Sequence, residues 1–200
     1  MSVRRRIQAA LACVAMLAVA AVAIGTAPTS DDLVSPFYVS GASGEPVQTR
    51  NLTAEVQGAR LAQTLDVSAN ESLAFSLDLL ETEQTWVVVD ARLEARIASV
   101  SLSNTRLRIA GVEYRAIDYL PAPTLVNFIG DPGIPFEGSF AFEVPTAVLE
   151  SDGAAHAELV LRSILSSQLD DIAVVDIDLA GLEVRDVEIM RPAEIAESRE

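Results

Sequence analysis

The stretch that decides the fold is residues 85–95, Thr-Trp-Val-Val-Val-Asp-Ala-Arg-Leu-Glu-Ala. Every second residue from Val87 to Leu93 is apolar, and the positions between them include the charges of Asp90 and Arg92. Because successive side chains of a strand point to opposite faces, this pattern predicts a β-strand with one face on the core and one face in water. Such strands are typical of antiparallel sheets.

Short strand patterns recur on both sides of this segment. Leu52, Ala54 and Val56 alternate with polar residues, and Gly58 interrupts them as a β-bulge would. Gly111 separates two alternating segments, which predicts a hairpin. Further strands are predicted at 107–109, 112–117, 139–144, 156–163, 172–179 and 182–189. About eight or nine strands, regular turns and no strong internal helix predict an all-β fold, an antiparallel β-sandwich.

The first residues form a targeting segment. Arg4, Arg5 and Arg6 precede an uncharged apolar run from Ile7 to Ile24. As a helix this run is roughly 27 Å long, close to the ~30 Å hydrocarbon core of a bilayer. Positive charges stay on the cytoplasmic side, so the sequence predicts a single-pass membrane anchor with a cytoplasmic N-terminus and everything after Gly25 outside.

Two alternatives to an uncleaved anchor remain open. Residues 21–23 and 25–27 each offer an A-x-A-like exit for signal peptidase, after which the protein would be secreted. The run is longer than a usual signal-peptide core, which favours the anchor. Cys13 loosely resembles a lipidation site, but only Ile7 to Ala9 would then form the apolar region before the lipobox, which is too short, so Cys13 is interpreted as a small apolar residue of the helix.

These patterns divide the chain into four parts. Residues 1–25 are the signal anchor, 26–46 a Pro-, Ser- and Gly-rich linker with a short strand pattern at 37–39, 47–192 the β-sandwich domain, and 193–200 a polar, frayed tail. Residues 66–84 fit both strand and helix periods, and a long connection is expected there.

The charge is strongly unbalanced. All 14 basic residues are arginine, and three of them precede residue 28, so the 29 acidic residues leave residues 28–200 with a formal charge of −18. A surface this acidic repels phosphate backbones, so nucleic acid is not expected as a partner. The single cysteine is Cys13, so the domain has no disulfide, thiol nucleophile or thiolate metal site.

Several segments together resemble a known family. They are Val-Gln-Gly-Ala-Arg-Leu at 56–61, Trp-Val-Val-Val-Asp at 86–90, 107–111 with Tyr114, Pro-Gly-Ile-Pro at 132–135, and Phe-Glu-Val-Pro at 142–145. In this order they resemble an immunoglobulin-like domain-of-unknown-function family of Gram-positive bacteria, related to the mycobacterial immunoprotective extracellular antigen. The resemblance covers about residues 46–165. It implies an immunoglobulin-like β-sandwich behind a lipobox or one membrane helix, and it supplies no catalytic residue.

The residues themselves give little reason to expect catalysis. His156 is the only histidine, no G-x-S-x-G elbow accompanies it, and it is interpreted as a strand-end surface residue. No catalytic residue and no cofactor is therefore predicted. The one metal candidate is a weak calcium site of Asp170, Asp171, Asp176 and Asp178, although alternate acids on a strand usually form a solvated face.

The Pro- and Gly-rich loop at 120–138 is the candidate working surface. Its partner-binding candidates are Leu125, Phe128, Ile129 and Phe136. Apolar residues on a stiff, exposed loop provide protein contacts, whereas the same residues folded back would cap one end of the sandwich. Both readings fit the sequence.

The resulting hypothesis is a non-catalytic, membrane-anchored extracytoplasmic interaction module that binds an envelope protein, as in an accessory subunit of an envelope or transport complex. The alternative is a secreted substrate-binding protein or enzyme that acts on envelope polymers. A calcium-dependent adhesion domain is the third hypothesis. An apolar patch favours the first, and a convergent polar pocket favours the second.

Overall fold

The fold is built around one long strand, β4 (Leu79–Ala95), which contains the alternating stretch of the sequence. In the computed structural model, which describes residues 15–22, 35–68, 79–120, 123–162 and 171–197, β4 lies in the middle of a sheet. Val87, Val89 and Leu93 are buried in the main core, as the alternation predicts. The even-numbered residues of β4 face the other side of this sheet.

Thirteen strands are present among the described residues. The others are β1 (Phe37–Ala42), β2 (Val47–Gln48), β3 (Leu52–Asp66), β5 (Val100–Ser101), β6 (Arg106–Ile109), β7 (Val112–Arg115), β8 (Ile129–Gly130), β9 (Pro135–Val144), β10 (Ala157–Leu161), β11 (Asp171–Ile177), β12 (Val184–Ile189) and β13 (Glu194–Ile195). Helical turns are few: α1 at residues 15–22, α2 (Thr146–Leu149) and a 3₁₀ helix (Asp152–His156). The strands beyond the eight or nine that were predicted are mostly only two residues long.

Two large sheets form the sandwich. Sheet A has the order β1-β11-β10-β6-β7, and sheet B has the order β12-β3-β4-β9-β13, with β2 also paired to β3. Most neighbours are antiparallel, as predicted, but β1 runs parallel to β11 and β12 runs parallel to β3. A third, two-stranded sheet joins β5 and β8. The all-β sandwich fold is therefore confirmed.

Local signals in the sequence match local geometry. The register between β3 and β4 shifts between Val56 and Gly58, so the predicted bulge is confirmed. The hairpin between β6 and β7 turns at Ala110 and Gly111, whose φ angles are 48° and 81°. A left-handed residue at Gly111 has no Cβ to clash, which lets a two-residue turn join the strands.

The apolar residues form two main clusters, one on each face of sheet B. The main core lies between the sheets and includes Val89 and Phe140 from sheet B and Leu159 and Val175 from sheet A. The second core lies on the other face of sheet B; its buried members are Ala62, Leu65, Val67, Trp86, Val88, Ile117, Leu120, Ala141 and Met190. Sheet B is therefore buried on both faces.

One segment, residues 184–197, supplies both edge strands of sheet B, and we call it the strap. Its strand β12 pairs with β3, and its strand β13 pairs with β9 at the opposite edge. In a flat sheet these edges are about 19 Å apart, whereas the linking residues 190–193 reach at most about 18 Å. Sheet B must therefore coil until its two edges approach each other, which encloses the second core.

The strap corrects the predicted domain boundaries. A frayed tail was expected at 193–200. The structure describes this segment as far as residue 197, and Glu194 and Ile195 pair with β9. The linker expected at 26–46 ends earlier, because β1 begins at Phe37. Of the connection expected at 66–84, residues 79–84 belong to β4, and 69–78 lie outside the described residues.

The chain divides into a unit at residues 1–35 and a unit at residues 36–200. In the first unit, residues 15–22 form α1 and all eight are exposed. The rest of the predicted anchor, 7–14 and 23–24, lies outside the described residues. Within the part of the chain that is described, no helix is long and apolar enough to cross a membrane.

Two leucines of β4 test how much the main core contributes to stability. Leu93 is 1% exposed, whereas Leu79 on the same strand is 52% exposed. Leu93→Ala should lower the free energy of unfolding by about 2–5 kcal/mol, because it removes buried methyl groups and leaves a cavity. Leu79→Ala should change it by less than about 1 kcal/mol. Urea denaturation, followed through the fluorescence of the single tryptophan, gives both values; equal losses would contradict this description of the core.

Candidate functional site

The loop at 120–138 caps one end of the sandwich instead of presenting its apolar side chains to solvent. Leu125 and Phe136, two of the partner-binding candidates, are fully buried in the main core, which matches the alternative in which the loop folds back over the sandwich. Phe128 is half-buried, with its ring centroid 5.0 Å from that of Phe136. Ile129 alone of the four candidates is largely exposed, at 64%.

The packing of one glycine explains this arrangement. Gly130 forms β8 with Ile129, and a Cβ at this position would lie 2.1 Å from Cε1 of the Phe136 ring. The absence of a side chain lets the ring of Phe136 lie against the backbone of β8. The close contact fixes β8 over the core and leaves the side chain of Ile129 on the solvent side.

Three isoleucines are exposed around this end of the sandwich: Ile97, Ile129 and Ile134, at 68%, 64% and 42%. We call them the end patch. Ile97 and Ile134 each lie two residues from the bridge that joins Ala95 to Pro132. Isolated exposed apolar residues are common on protein surfaces, but several at one end of a domain indicate a contact surface.

Asn51 holds the loop that carries Ile97. Its Oδ1 accepts hydrogen bonds from the backbone N–H groups of Ile97 (3.0 Å) and Ala98 (2.8 Å), and its Nδ2 donates to the carbonyl of Ala98 (3.1 Å). The Oγ of Ser99 donates to Asp131 at 2.9 Å, which ties the loop to the segment before β9. The end patch is therefore presented by a hydrogen-bonded loop and needs little ordering before it binds.

The calcium candidates do not converge. Asp171 begins β11, whereas Asp178 follows its end, so their Cα atoms are separated by about 20 Å of extended strand. The carboxylate of Asp171 accepts the backbone N–H of Arg50 at 2.9 Å, and that of Asp178 accepts the N–H of Ala180 at 2.9 Å. Asp176 is exposed, and Asp170 lies outside the described residues.

The single histidine is equally isolated. His156 is exposed at the end of the 3₁₀ helix, immediately before β10. Across the described ranges, no three His, Cys, Asp or Glu side chains are grouped so that they would hold a metal ion. His156, Asp171, Asp176 and Asp178, the described candidates, are therefore not brought together at one site.

The structure instead forms a cluster of charges that sequence analysis did not identify. Arg60 on β3 donates from Nη2 to both carboxylate oxygens of Asp90 on β4, at 2.9 and 2.8 Å, and from Nη1 to Glu188 on β12 at 2.5 Å. Asp90 also accepts the hydroxyl of Ser139 at 2.6 Å and lies 3.3 Å from Nη2 of Arg191. We call these five residues the charge cluster.

The carboxylates of the charge cluster are largely shielded from water. The side chain of Glu188 is 6% exposed and that of Asp90 is 15% exposed. The Nε atoms of Arg60 and Arg191 are buried and make no hydrogen bond within the described structure. Because two members belong to the strap and three to β3, β4 and β9, the cluster fastens the strap to the body of sheet B. Removing one partner of a shielded charge pair costs much more stability than removing one partner of an exposed pair.

One aromatic residue before the loop has a perturbed ionisation. Tyr119 is 61% exposed, so its side chain is buried in part. Partial burial raises the pKa of its hydroxyl, and the negative charge of Glu143 raises the pKa further. The phenol therefore stays neutral, and able to donate a hydrogen bond, to higher pH than an ordinary tyrosine.

Fold and surface together define an acidic β-sandwich with one ordered apolar end. No protein-family model and no curated protein matches the sequence. Among solved structures, an uncharacterized β-sandwich protein of Clostridium difficile 630 has a TM-score of 0.46 at 13% identity, covering 75% of this chain and 99% of its own. The secreted protein MPT63 of Mycobacterium tuberculosis has a TM-score of 0.45 at 15% identity, covering 71% and 99%.

A third structure, the yjhA protein of Bacillus subtilis, has a TM-score of 0.47 at 12% identity, covering 68% of this chain and 99% of its own. The chain thus has structural neighbours among bacterial β-sandwich proteins, one of them secreted. Identities and TM-scores are too low to assign a family, so the relation to the mycobacterial antigen is a structural likeness only.

The contact between Gly130 and Phe136 can be tested with two matched glycines. Gly130→Ala should lower the free energy of unfolding by about 1–3 kcal/mol, because the new methyl group overlaps the Phe136 ring. Gly58→Ala should change it by less than about 0.5 kcal/mol, because nothing lies within 4 Å of a Cβ there. Denaturant unfolding gives the free energy of unfolding of both variants. An unchanged value for Gly130→Ala would show that the ring of Phe136 does not pack against β8.

Removal of the Asn51 side chain should loosen the end patch. In Asn51→Ala the backbone N–H groups of Ile97 and Ala98 lose their acceptor. We expect their hydrogen exchange to accelerate by about tenfold or more, since each lost bond is worth ~1 kcal/mol. The control is Asn127→Ala, which removes one 3.3 Å bond to the carbonyl of Asp118. Unchanged exchange at 97 and 98 would mean that other contacts order this loop.

The charge cluster predicts unequal effects for two arginines. Arg60→Met should reduce the free energy of unfolding by about 1–3 kcal/mol, because it leaves Asp90 and Glu188 without their shared partner. Arg115→Met removes a pair with Asp118 at an exposed site and should cost less than about 1 kcal/mol. Thermal and urea unfolding at the same pH provide the comparison, and similar losses would show that shielding of the cluster adds nothing.

Proposed function

We propose that the protein is a non-catalytic extracytoplasmic interaction module, anchored by residues 7–24, that binds an envelope protein through the end patch. The observation that carries this proposal is the ordered exposure of Ile97, Ile129 and Ile134. These side chains stand on a hydrogen-bonded loop and a two-stranded sheet at one end of the sandwich. Such rigid apolar groups bind at low entropic cost and are typical centres of protein interfaces.

The location rests on the N-terminal sequence. Arg4, Arg5 and Arg6 before an uncharged apolar run support an anchor in the membrane with the residues after Gly25 outside. A domain without cysteine folds equally well in an oxidising compartment. The formal charge of −18 on residues 28–200 favours a partner whose contact surface is apolar with a basic rim.

What the polar groups do supports a binding module over an enzyme. The shielded carboxylates of Asp90 and Glu188 are occupied by guanidinium groups that fasten the strap. His156 is exposed on its own helical turn, and the described calcium candidates lie at opposite ends of β11. These polar groups serve structure, which supports the apolar end patch as the surface for a partner.

Site-specific photocrosslinking tests this proposal. A photoreactive amino acid replaces Ile129 in the full chain, which is expressed in its native host with an affinity tag. The control places the same group at Val112, which is also exposed but lies in the hairpin of sheet A. We expect one membrane or envelope protein to be captured from position 129 and not from position 112.

Substitutions in the end patch distinguish specific binding from mere proximity. In the chain with the crosslinker at 129, Ile97→Ser and Ile134→Ser should together reduce capture strongly, whereas two serines in the sheet A hairpin should not. Equal capture from positions 129 and 112, or none from either, would rule out the end patch as the interface. Recovery of the mature chain free in the medium would remove the anchor and favour a secreted binding protein or enzyme.

A further inference from the structure

The strap occupies a groove that the rest of the domain forms. β12 covers the free edge of β3, and β13 covers the free edge of β9. Between them the backbone N–H of Met190 donates to the carbonyl of Asp66, and the N–H of Ser139 donates to the carbonyl of Arg191. Without the strap, the domain would therefore present two open strand edges beside the second core, which is a site for an extended segment.

The groove recognises its occupant through three side chains. Glu188 pairs with Arg60, Met190 is buried in the second core, and Arg191 reaches Asp90. The groove thus requires an acid, an apolar residue and an arginine at fixed spacing, at the end of β12 and in the residues directly after it. This pattern is specific, because Glu188 meets Arg60 in a shielded place and the partly exposed Arg191 meets the shielded carboxylate of Asp90.

The strap is held mainly by polar contacts. Its large aliphatic side chains at 184, 187, 189 and 195 are substantially exposed, and Met190 is its only large apolar side chain that is buried. By contrast, β4 and β9 contribute many buried side chains to the main core. Segments with few buried apolar contacts open at lower free energy than the core, so the strap is expected to detach before the sandwich unfolds.

The chain before the strap allows such a movement. Leu179 is buried, and its N–H donates to the carbonyl of Ala154 at 2.9 Å, so sheet A holds the chain up to this point. Residues 180–183 are all exposed, and Gly181 has a φ of +72°. These residues form a short hinge between β11 in sheet A and β12 in sheet B.

We propose that the groove of one molecule binds the strap of a second copy of this chain, which produces a strand-exchanged dimer. The occupant that fits the groove is known from the structure, since it is the strap itself. Exchange between copies recreates the same hydrogen bonds and ion pairs and requires only that both straps detach. The proposal uses a surface other than the end patch, so it stands or falls independently of the envelope partner.

Engineered cysteines report exchange directly. Glu137 on β9 and Glu194 on β13 are register partners, and Cα atoms of antiparallel partners lie within disulfide range. Two full-length variants are prepared, Glu137→Cys and Glu194→Cys, each with Cys13→Ser to remove the single native thiol. They are purified separately in mild detergent, mixed and exposed to a mild oxidant. A disulfide yield above that of random collision shows that the strap of one chain lies on β9 of the other.

Two controls define the result. The double variant Glu137→Cys/Glu194→Cys should close a bond within one chain, which verifies the geometry. A mixture of Glu137→Cys with Val112→Cys measures random collision, because residue 112 is exposed in sheet A. We expect the 137–194 mixture to give a linked dimer as its main new product, well above this collision background. A yield equal to that background, with the double variant closing normally, would overturn the proposal.

Weakening the charge cluster should accelerate exchange. Arg60→Met in both partners is expected to speed formation of the 137–194 dimer by about tenfold or more, because it removes the charged hydrogen bonds that hold Glu188. Arg115→Met, which removes an exposed pair outside the groove, should leave the rate unchanged. Equal rates in the two backgrounds would show that the cluster does not hold the strap and would also contradict the proposal.

Discussion

The structure depends on the burial of β4 on both of its faces. Val87 and Val89 pack into the main core, whereas Trp86 and Val88 pack into the second core. A strand of this kind cannot lie in a sheet with one wet face, because large apolar side chains would remain in water. Sheet A covers one side. The coiling of sheet B, with residues 117–120 and the strap, covers the other side.

Coiling of sheet B places charges in a shielded environment. Arg60, Asp90 and Ser139 would be ordinary surface residues on an open sheet. Once Glu188 and Arg191 cover them, each guanidinium must find a carboxylate, because an unpaired shielded charge is costly. The charge cluster is therefore a consequence of the second core, and it gives the strap a single register along the groove.

The sequence predicted the sandwich well because alternation is a local signal. A period of two residues reports which face of a strand is buried by a sheet, and the bulge at Gly58 and the hairpin at Gly111 were visible for equally local reasons. The strand predicted at 182–189 contains β12, but its pairing with β3 and the strand β13 were not predicted, because their partners lie far away in sequence. Asp90 and Arg92 were expected on a solvent-exposed face, but they are half-buried, because segments distant in sequence cover this face.

The working surface was harder to predict than the fold. The apolar content of the loop at 120–138 was clear, but exposure depends on how the loop packs, which periodicity does not report. Gly130 was an available signal, because a glycine next to apolar residues often marks close packing. Ile97 continues the alternating register of β4 and would be expected to lie inside. It lies outside because β4 ends at Ala95 and Asn51 turns the loop away.

The passage of the strap beside β9 leaves a mark on sequence evolution. A Cβ at Gly138 would lie 2.7 Å from the carbonyl oxygen of Pro192 and 3.1 Å from Cα of Ala193. Backbone atoms cannot move aside as a flexible side chain can, so only glycine is compatible with a strap in this place. In diverging lineages the two features should therefore be gained and lost together. A descendant that has lost the strap can accept a side chain at position 138. A side chain at this position in a descendant is therefore expected only where the strap has been lost.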